Sequence, residues 1–158
     1  MHNGRFASVA LIKEYHLFEY LELGIAIQEG NIAKLEAQRE IWIKCWIKRS
    51  LYLLIGQLET LTYRNLAKRV LTVMKHLRTP TKFNIDIKAF KTAFELSAQR
   101  PFEPEEVACL LGNLFYPKKY LNAFLHKSNT DTLVIFSAKD PCPKIRPSWD
   151  HYVCSTTE

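Results

Sequence analysis

Residues 103–136 read EPEEVACLLGNLFYPKKYLNAFLHKSNTDTLVIF, and their pattern changes from helical to strand-like part-way along. The opening Glu-Pro-Glu-Glu predicts a helix start, because proline suits the first helical position and acidic side chains suit the positive end of the helix dipole. Pro117 then ends the helix. Two apolar runs follow, residues 120–125 and 132–136, separated by a polar turn, which predicts a two-stranded hairpin.

Two further helices are predicted upstream of this stretch. Residues 63–77, capped by Thr60 or Thr62, carry apolar side chains at helical spacing, and a second helix begins at Asp86 and ends before Pro101. The order helix–helix–helix–strand–strand over residues 62–137 is that of a winged helix.

The first half of the chain predicts only helices. We expect one over residues 11–28, a short one over 32–39 and a longer, buried one over 41–58. Gly30 can take a left-handed conformation at the first helix end, and Asn31 can cap the next helix. Trp42, Trp46 and Leu53 are the expected buried centre, and Trp46, Leu53 and Leu54 the contact with the winged helix.

The predicted fold is therefore mostly α, with paired helices followed by a C-terminal winged helix. We divide the chain into a helical part (residues 1–60), a winged-helix part (61–138) and an extended tail (139–158). The apolar residues 41–55 are interrupted by three basic side chains, so no membrane span is predicted.

The net charge of +6 is concentrated in one block. Residues 61–99 hold eight basic and two acidic side chains, whereas residues 1–60 hold seven of each. Such a block attracts polyanions: nucleic acid, an acidic protein segment or an anionic membrane surface. The alternative interpretation is an ordinary solvated helix face.

The candidate nucleic-acid-binding residues follow from helical geometry. Arg64, Lys68 and Lys75 fall within about 40° on one face of the helix over 63–77, which we expect to be exposed. The other candidates surround the predicted hairpin: Lys118, Lys119, Lys127 and Lys139. Because the third winged helix begins with acidic residues, we expect contact with the phosphate backbone of RNA or DNA without base readout. Tyr63, Tyr116 and Tyr120 are candidates for stacking on bases, although packing is the favoured alternative.

Catalytic and metal-binding patterns are lacking in the sequence. There is no nucleophile motif, glycine-rich phosphate loop or metal-ligand spacing. We therefore expect no catalytic residue, no metal and no cofactor. Cysteines 45, 109, 142 and 154 form no C-x-x-C pair, and we interpret them as buried free thiols rather than a zinc or redox site.

Several segments resemble one family of PCI-domain proteins. The Thr-Tyr-Arg-Asn-Leu stretch at residues 62–66 is the most specific of them. The chain is similar, over about residues 7–145, to the PCI-domain-containing protein two family, the PCI-domain subunits of the transcription-and-export complex (TREX-two). The other matching residues are 11–17, 29–31, 61, 68–70, 106–107, 109, 111, 113–114, 116, 133–134 and 140–143.

This resemblance implies that the fold is a PCI domain, a helical-repeat bundle capped by a C-terminal winged helix, with residues 1–60 as its helical-repeat part. It also implies a non-catalytic adaptor in messenger-RNA export, in the nucleus and at nuclear pores. The implied partners are a large export scaffold protein, a small acidic disordered subunit shared with the proteasome lid, and RNA or DNA held by a basic surface. Two alternatives stay open: a related COP9-signalosome-associated PCI subunit, and a stand-alone winged-helix nucleic-acid-binding protein.

The chain departs from the family in two respects. Pro117-Lys118-Lys119 stands where the family usually has a glycine-containing turn, and the family's upstream helical repeats are missing. We therefore expect a truncated or short divergent member.

Overall fold

A computed structural model of the chain describes residues 9–77, 84–116, 120–127, 132–137 and 139–143. It is mostly α-helical, with a bundle that leads into a winged helix, as predicted. The helices are α1 (Val9–Glu14), a 3-10 helix (Phe18–Tyr20), α2 (Leu21–Glu29), α3 (Ile32–Lys48), α4 (Tyr52–Leu77), α5 (Ile87–Ala98) and α6 (Pro104–Phe115). The strands are β1 (Asn84–Asp86), β2 (Ala123–Lys127) and β3 (Thr132–Phe136).

The first predicted helix, over residues 11–28, is wrong as a single element. The chain instead forms α1, the 3-10 helix and α2, with His16 in a left-handed conformation between the first two (φ 52°). The end of α2 is confirmed. Gly30 has φ 66°, and the side chain of Asn31 accepts a hydrogen bond from the Lys34 backbone N–H at 2.9 Å.

The helix breaks predicted near residues 40 and 60 are wrong. α3 continues through residue 40, and the chain turns instead at residues 49–51, where Ser50 has φ 56°. α4 then runs for 26 residues without interruption. Thr62 does not cap it, because its buried hydroxyl donates to the carbonyl of Leu58 one turn earlier. The boundary that we placed between residues 60 and 61 therefore lies inside α4.

The winged helix consists of the second half of α4, β1, α5, α6, β2 and β3, in the predicted order of helices and hairpin strands. The sheet order is β1-β3-β2, and both pairings are antiparallel. β1 was not predicted, since it has only three residues. Asp86 ends β1 and caps α5, as predicted, by accepting a hydrogen bond from the Lys88 backbone N–H at 2.9 Å.

Two hydrophobic cores share α4. The first half of α4 contributes Ile55 and Leu58 to the core of the helical bundle, which includes the fully buried Trp46. The second half contributes Tyr63, Ala67 and Leu71 to the core of the winged helix. The other fully buried large side chains of that core are Phe90, Phe94, Phe102, Val107, Leu111, Leu114, Leu121 and Val134.

The predicted contact between bundle and winged helix is wrong for the residues that the structure describes. Trp46 is buried as expected, but in the core of the bundle, and Leu53 is 82% exposed. The side chain of Leu54 lies outside what the structure describes. The contact forms instead around the α2–α3 turn. Ser97 of α5 accepts a hydrogen bond from Ile32 N–H and donates one to the Gly30 carbonyl. Within the described ranges, no helix is long and apolar enough to cross a membrane.

Candidate nucleic-acid and protein interface

Arg64 is buried, so the prediction that it belongs to an exposed face is wrong. Its Nε donates to the carbonyl of Tyr120 at 3.1 Å, and its Nη2 donates to the carbonyl of Pro143 at 2.8 Å. These carbonyls belong to the segments before β2 and after β3. The guanidinium therefore fastens both ends of the hairpin to α4.

Lys68 and Lys75 continue the same face of α4 and are exposed, as predicted. Residues 139–143, which we call the exit segment, pass beside this face. Burial raises the pKa of the Cys142 thiol, and the charges of Arg64, Lys68 and Lys75 act on that thiol in the opposite direction. The structure thus brings these three cations near one point of the exit segment.

The remaining candidates separate into three groups. Lys139 is exposed on the exit segment. Lys127 is exposed at the far end of β2, roughly 15 Å along the strand from the residues that contact the exit segment. Lys118 and Lys119 lie outside the described residues. Among the described candidates, only Lys139 therefore lies on the segment that passes beside Lys68 and Lys75.

Two open pockets beside α4 were not predicted, and we call the pair the Arg69 groove because Arg69 lines both. The first, about 360 Å³, is lined by Gln28, Asn65, Lys68, Arg69 and Thr72. The second, about 460 Å³, is lined by Glu29, Gly30, Asn31, Leu66, Arg69, Ala93, Leu96 and Ser97. Arg69 points about 100° away from Lys68 on the helix, so it does not belong to the basic face that the sequence predicted.

The two cations of the groove are not neutralised by the part of the chain that the structure describes. Arg39, Arg49 and Arg100 each pair with a glutamate. Within the described ranges, neither Lys68 nor Arg69 has such a partner. Both are exposed, and their charge is therefore available to a ligand.

The third winged helix carries negative charge where a groove-reading helix would meet phosphate. Pro104 occupies the first turn of α6 together with Glu105 and Glu106, as predicted. Glu105 is exposed, and Glu106 pairs with Arg100 at 2.9 Å. This arrangement disfavours insertion of α6 into a DNA groove.

The tyrosine and cysteine predictions have mixed outcomes. Tyr63 packs against Phe94 with ring centroids 5.3 Å apart, and burial raises its pKa to about 12. Tyr116 is 77% exposed. The cysteines with described positions are free thiols, as predicted, but Cys109 is exposed and Cys45 and Cys142 are only half-buried, so the predicted burial is wrong. No cluster of three or more His, Cys, Asp or Glu side chains suited to a metal ion occurs in the described ranges.

Comparison with known proteins identifies relatives of the chain, although no known family profile matches it. A PCI domain-containing protein 2 homolog from Caenorhabditis briggsae is 28% identical over 128 residues, which cover 78% of this chain and 29% of the relative. The Drosophila melanogaster homolog is 26% identical over 142 residues, covering 90% and 34%. The Protein CSN12 homolog from Debaryomyces hansenii is 25% identical over 129 residues, covering 76% and 29%.

The chain spans about a third of the length of these curated relatives. The similarity nevertheless covers most of this chain, and the fold has a helical bundle that ends in a winged helix. The chain therefore resembles the PCI domain-containing protein 2 homologues in sequence, and it has a mostly helical fold that ends in a winged helix.

Proposed function

We propose that the chain is a non-catalytic adaptor of a nuclear messenger-RNA export complex. In this proposal it binds a large export scaffold protein, a small acidic disordered subunit of the proteasome-lid type, and nucleic acid. The observation that carries the proposal is the similarity of most of the chain to PCI domain-containing protein 2 homologues.

The exposed apolar side chains support a protein-binding role. Residues on three separate parts of the surface are more than half exposed: Tyr15 and Phe18 near the N-terminal helices, Leu96 on α5, and Phe124 on β2. Single exposed apolar side chains such as Leu96 and Phe124 are common on any protein, whereas neighbouring ones such as Tyr15 and Phe18 are typical of a surface that binds a partner. The N-terminal helices therefore give the main support for a protein-binding role.

The exposed cations support a nucleic-acid role of limited specificity. Lys68 and Lys75 lie on one face of α4, and Lys139 lies on the exit segment beside it. Lysine contacts phosphate as a point charge, which favours the backbone over the bases. The acidic start of α6 argues against the stand-alone winged-helix alternative, which would require that helix to approach DNA.

One second candidate has an observation in its favour. The match to the Protein CSN12 homolog supports a role as a COP9-signalosome-associated PCI subunit. Both candidates use the same fold, so they differ in partners rather than in chemistry.

Affinity purification from nuclear extract with the tagged chain tests the proposal. We expect mass spectrometry to identify a large export scaffold and a small acidic subunit, both absent when the tag alone is used. Recovery of COP9 signalosome subunits instead would favour the second candidate. Recovery of neither set would contradict both.

A further inference from the structure

We infer that the acidic surface around the Tyr63 hydroxyl binds an arginine side chain from a basic segment of another protein. We call this surface the Tyr63 site, and its residues are Glu36, Glu59, Tyr63, Arg100 and Glu106. Tyr63 points about 140° away from Lys68 around α4, so the site is separate from the face to which we assign nucleic acid. The inference goes beyond the proposed function and does not depend on the export role.

The side chain of Tyr63 is buried but ends in a hydroxyl without a partner. Its ring packs against Phe94 with ring centroids 5.3 Å apart, and the residue is only 5% exposed. Within the described ranges the hydroxyl forms no hydrogen bond to the protein, and its oxygen still touches solvent. Since nearly all buried polar groups are hydrogen-bonded, this hydroxyl is placed to bond a group that comes from outside the chain.

Three carboxylates surround this hydroxyl. Burial is the main cause that raises the pKa of Tyr63 to about 12, and three nearby acidic charges act in the same direction, those of Glu59, Glu36 and Glu106. The effect of a charge fades over about 10 Å in salt solution, so carboxylates from α3, α4 and α6 lie around one phenol oxygen. The phenol keeps its proton at neutral pH, and its oxygen can accept a hydrogen bond from a cation.

The arginines beside the site do not neutralise it. Arg39 pairs with Glu59 at 3.6 Å, and Arg100 pairs with Glu106 at 2.9 Å. Glu36 is exposed and has no cationic partner in the part of the chain that the structure describes. Three carboxylates therefore face two guanidinium groups, and one negative charge is left for a cation from a ligand.

The negative surface continues on both sides of the site. Glu40 lies one turn beyond Glu36 on α3, and Glu103 and Glu105 lie at the start of α6. All three are exposed, and none has a cationic partner among the described residues. A segment with several basic residues would be attracted by these charges, whereas a nucleic-acid phosphate would be repelled by them. The charge therefore favours a protein ligand.

Arginine suits the site better than lysine. Its planar guanidinium presents donors in several fixed directions, so one side chain can donate to the Glu36 carboxylate and to the Tyr63 oxygen. The ammonium of lysine is a compact, strongly hydrated charge, which loses more on leaving water. We therefore expect the ligand segment to carry arginine at the position that meets Tyr63.

The test uses the whole chain and a fluorescein-labelled peptide of glycine and serine with several arginines. Fluorescence anisotropy at low salt should show binding. Tyr63→Phe removes only the hydroxyl, so it should weaken binding about tenfold and leave the melting temperature unchanged. Glu36→Gln should weaken binding by a similar factor. Tyr116→Phe and Glu14→Gln make the same chemical changes at exposed positions elsewhere and should leave the affinity unchanged.

Two altered peptides separate arginine recognition from general attraction. A peptide with lysines in place of the arginines should bind more weakly, and Tyr63→Phe should affect it less. A peptide with citrulline, which has the shape of arginine without its charge, should not bind. If either peptide binds the unchanged chain as tightly as the arginine peptide, the inference is overturned. It is equally overturned if the Tyr63→Phe chain keeps the full affinity for the arginine peptide.

Two further measurements exclude other occupants of the site. Sedimentation of the chain alone should not change in the Tyr63→Phe and Glu36→Gln variants. A dimer that either variant dissociates would assign the site to a second copy of the chain and overturn the inference. Oligouridylate should bind the Tyr63→Phe chain and the unchanged chain equally. Weaker binding to the variant would assign the site to RNA, which also overturns the inference.

Discussion

Arg64 and Lys68 lie one turn apart on α4, yet their side chains have different surroundings. Arg64 is 9% exposed and donates to two carbonyls, whereas Lys68 is exposed. Helical geometry places them on one face. Only the position of the exit segment decides which of them is covered, because Pro143 reaches Arg64 across 79 positions of sequence.

Replacing Arg64 by alanine should therefore destabilise the winged helix. The carbonyls of Tyr120 and Pro143 would lose their charged donor, which costs about 2 kcal/mol of unfolding free energy. Arg64→Lys should not restore it fully, because an ammonium cannot donate along the same two directions. Urea denaturation measures both changes, with Lys68→Ala as the matched control. If the Arg64→Ala chain is as stable as the unchanged chain, the two hydrogen bonds of Arg64 contribute nothing to the unfolding free energy.

Trp46 provides the corresponding prediction for the bundle core. Its side chain is fully buried among Leu23, Ile27 and Leu58. Trp46→Ala should lower the unfolding free energy by about 3–5 kcal/mol, since the cavity cannot be refilled by its neighbours. Ile47, the next residue, is 57% exposed, and Ile47→Ala should change stability by only about 0.5 kcal/mol. A melting temperature that falls equally in both variants would contradict this placement.

The sequence correctly predicted the helix ends and caps that depend only on residues nearby in the chain. Gly30, Asn31, Asp86 and Pro104 act on backbone groups within a few positions of themselves. Leu53 was misplaced because apolar character alone does not determine exposure.

At the level of elements, the helix breaks were misplaced for a common reason. Threonine is favoured at helix starts, but Thr62 satisfies its hydroxyl inside α4 by bonding to the Leu58 carbonyl. Ser50 carries no strong breaker signal, yet it adopts φ 56° where α3 ends. β1 was not predicted because three residues show no periodicity. Its pairing with β3 joins residues about fifty positions apart, which local sequence patterns do not reveal.

The packing of α2 on α4 can be tested with a pair of glycines. Gly30→Ala requires a left-handed alanine and displaces the Leu66 backbone. The conformational cost alone is about 1–2 kcal/mol, and the displacement adds to it. Gly56 lies within α4 with open space around its Cβ position. Gly56→Ala should therefore stabilise the chain by about 0.5–1 kcal/mol. If the melting temperature shifts in the same direction in both variants, this description of the α2–α4 contact is contradicted.

At the scale of the whole molecule, the sequence predicted the winged helix and the location of the excess charge. It did not predict the Arg69 groove, because three elements far apart in sequence form its walls: the end of α2, α4 and α5. Nor did it show that Lys127 lies a strand's length from the exit segment. Charge is a property of composition, whereas a binding surface depends on which elements meet.

Nucleic-acid binding by the whole chain is the last prediction. Lys68 and Lys75 lie on one exposed face beside the exit segment. Contact with phosphates alone should give dissociation constants on the order of micromolar or weaker at physiological salt, for RNA and DNA alike. Reversing both charges, with Lys68→Glu and Lys75→Glu together, should weaken binding of both and lower the salt slope by about 2, one for each lost contact.

The control must change the net charge equally, because long-range attraction also depends on it. Lys44→Glu with Lys48→Glu does so on α3, where both lysines are exposed. We expect this variant to bind nearly as tightly as the unchanged chain in a filter-binding titration. If the two double variants weaken binding equally, the attraction belongs to the net charge and not to the α4 face. If the chain does not bind at low salt, or if binding survives the Lys68 and Lys75 reversal, this face of α4 does not contact phosphate, and its lysines serve a protein partner or only solvation.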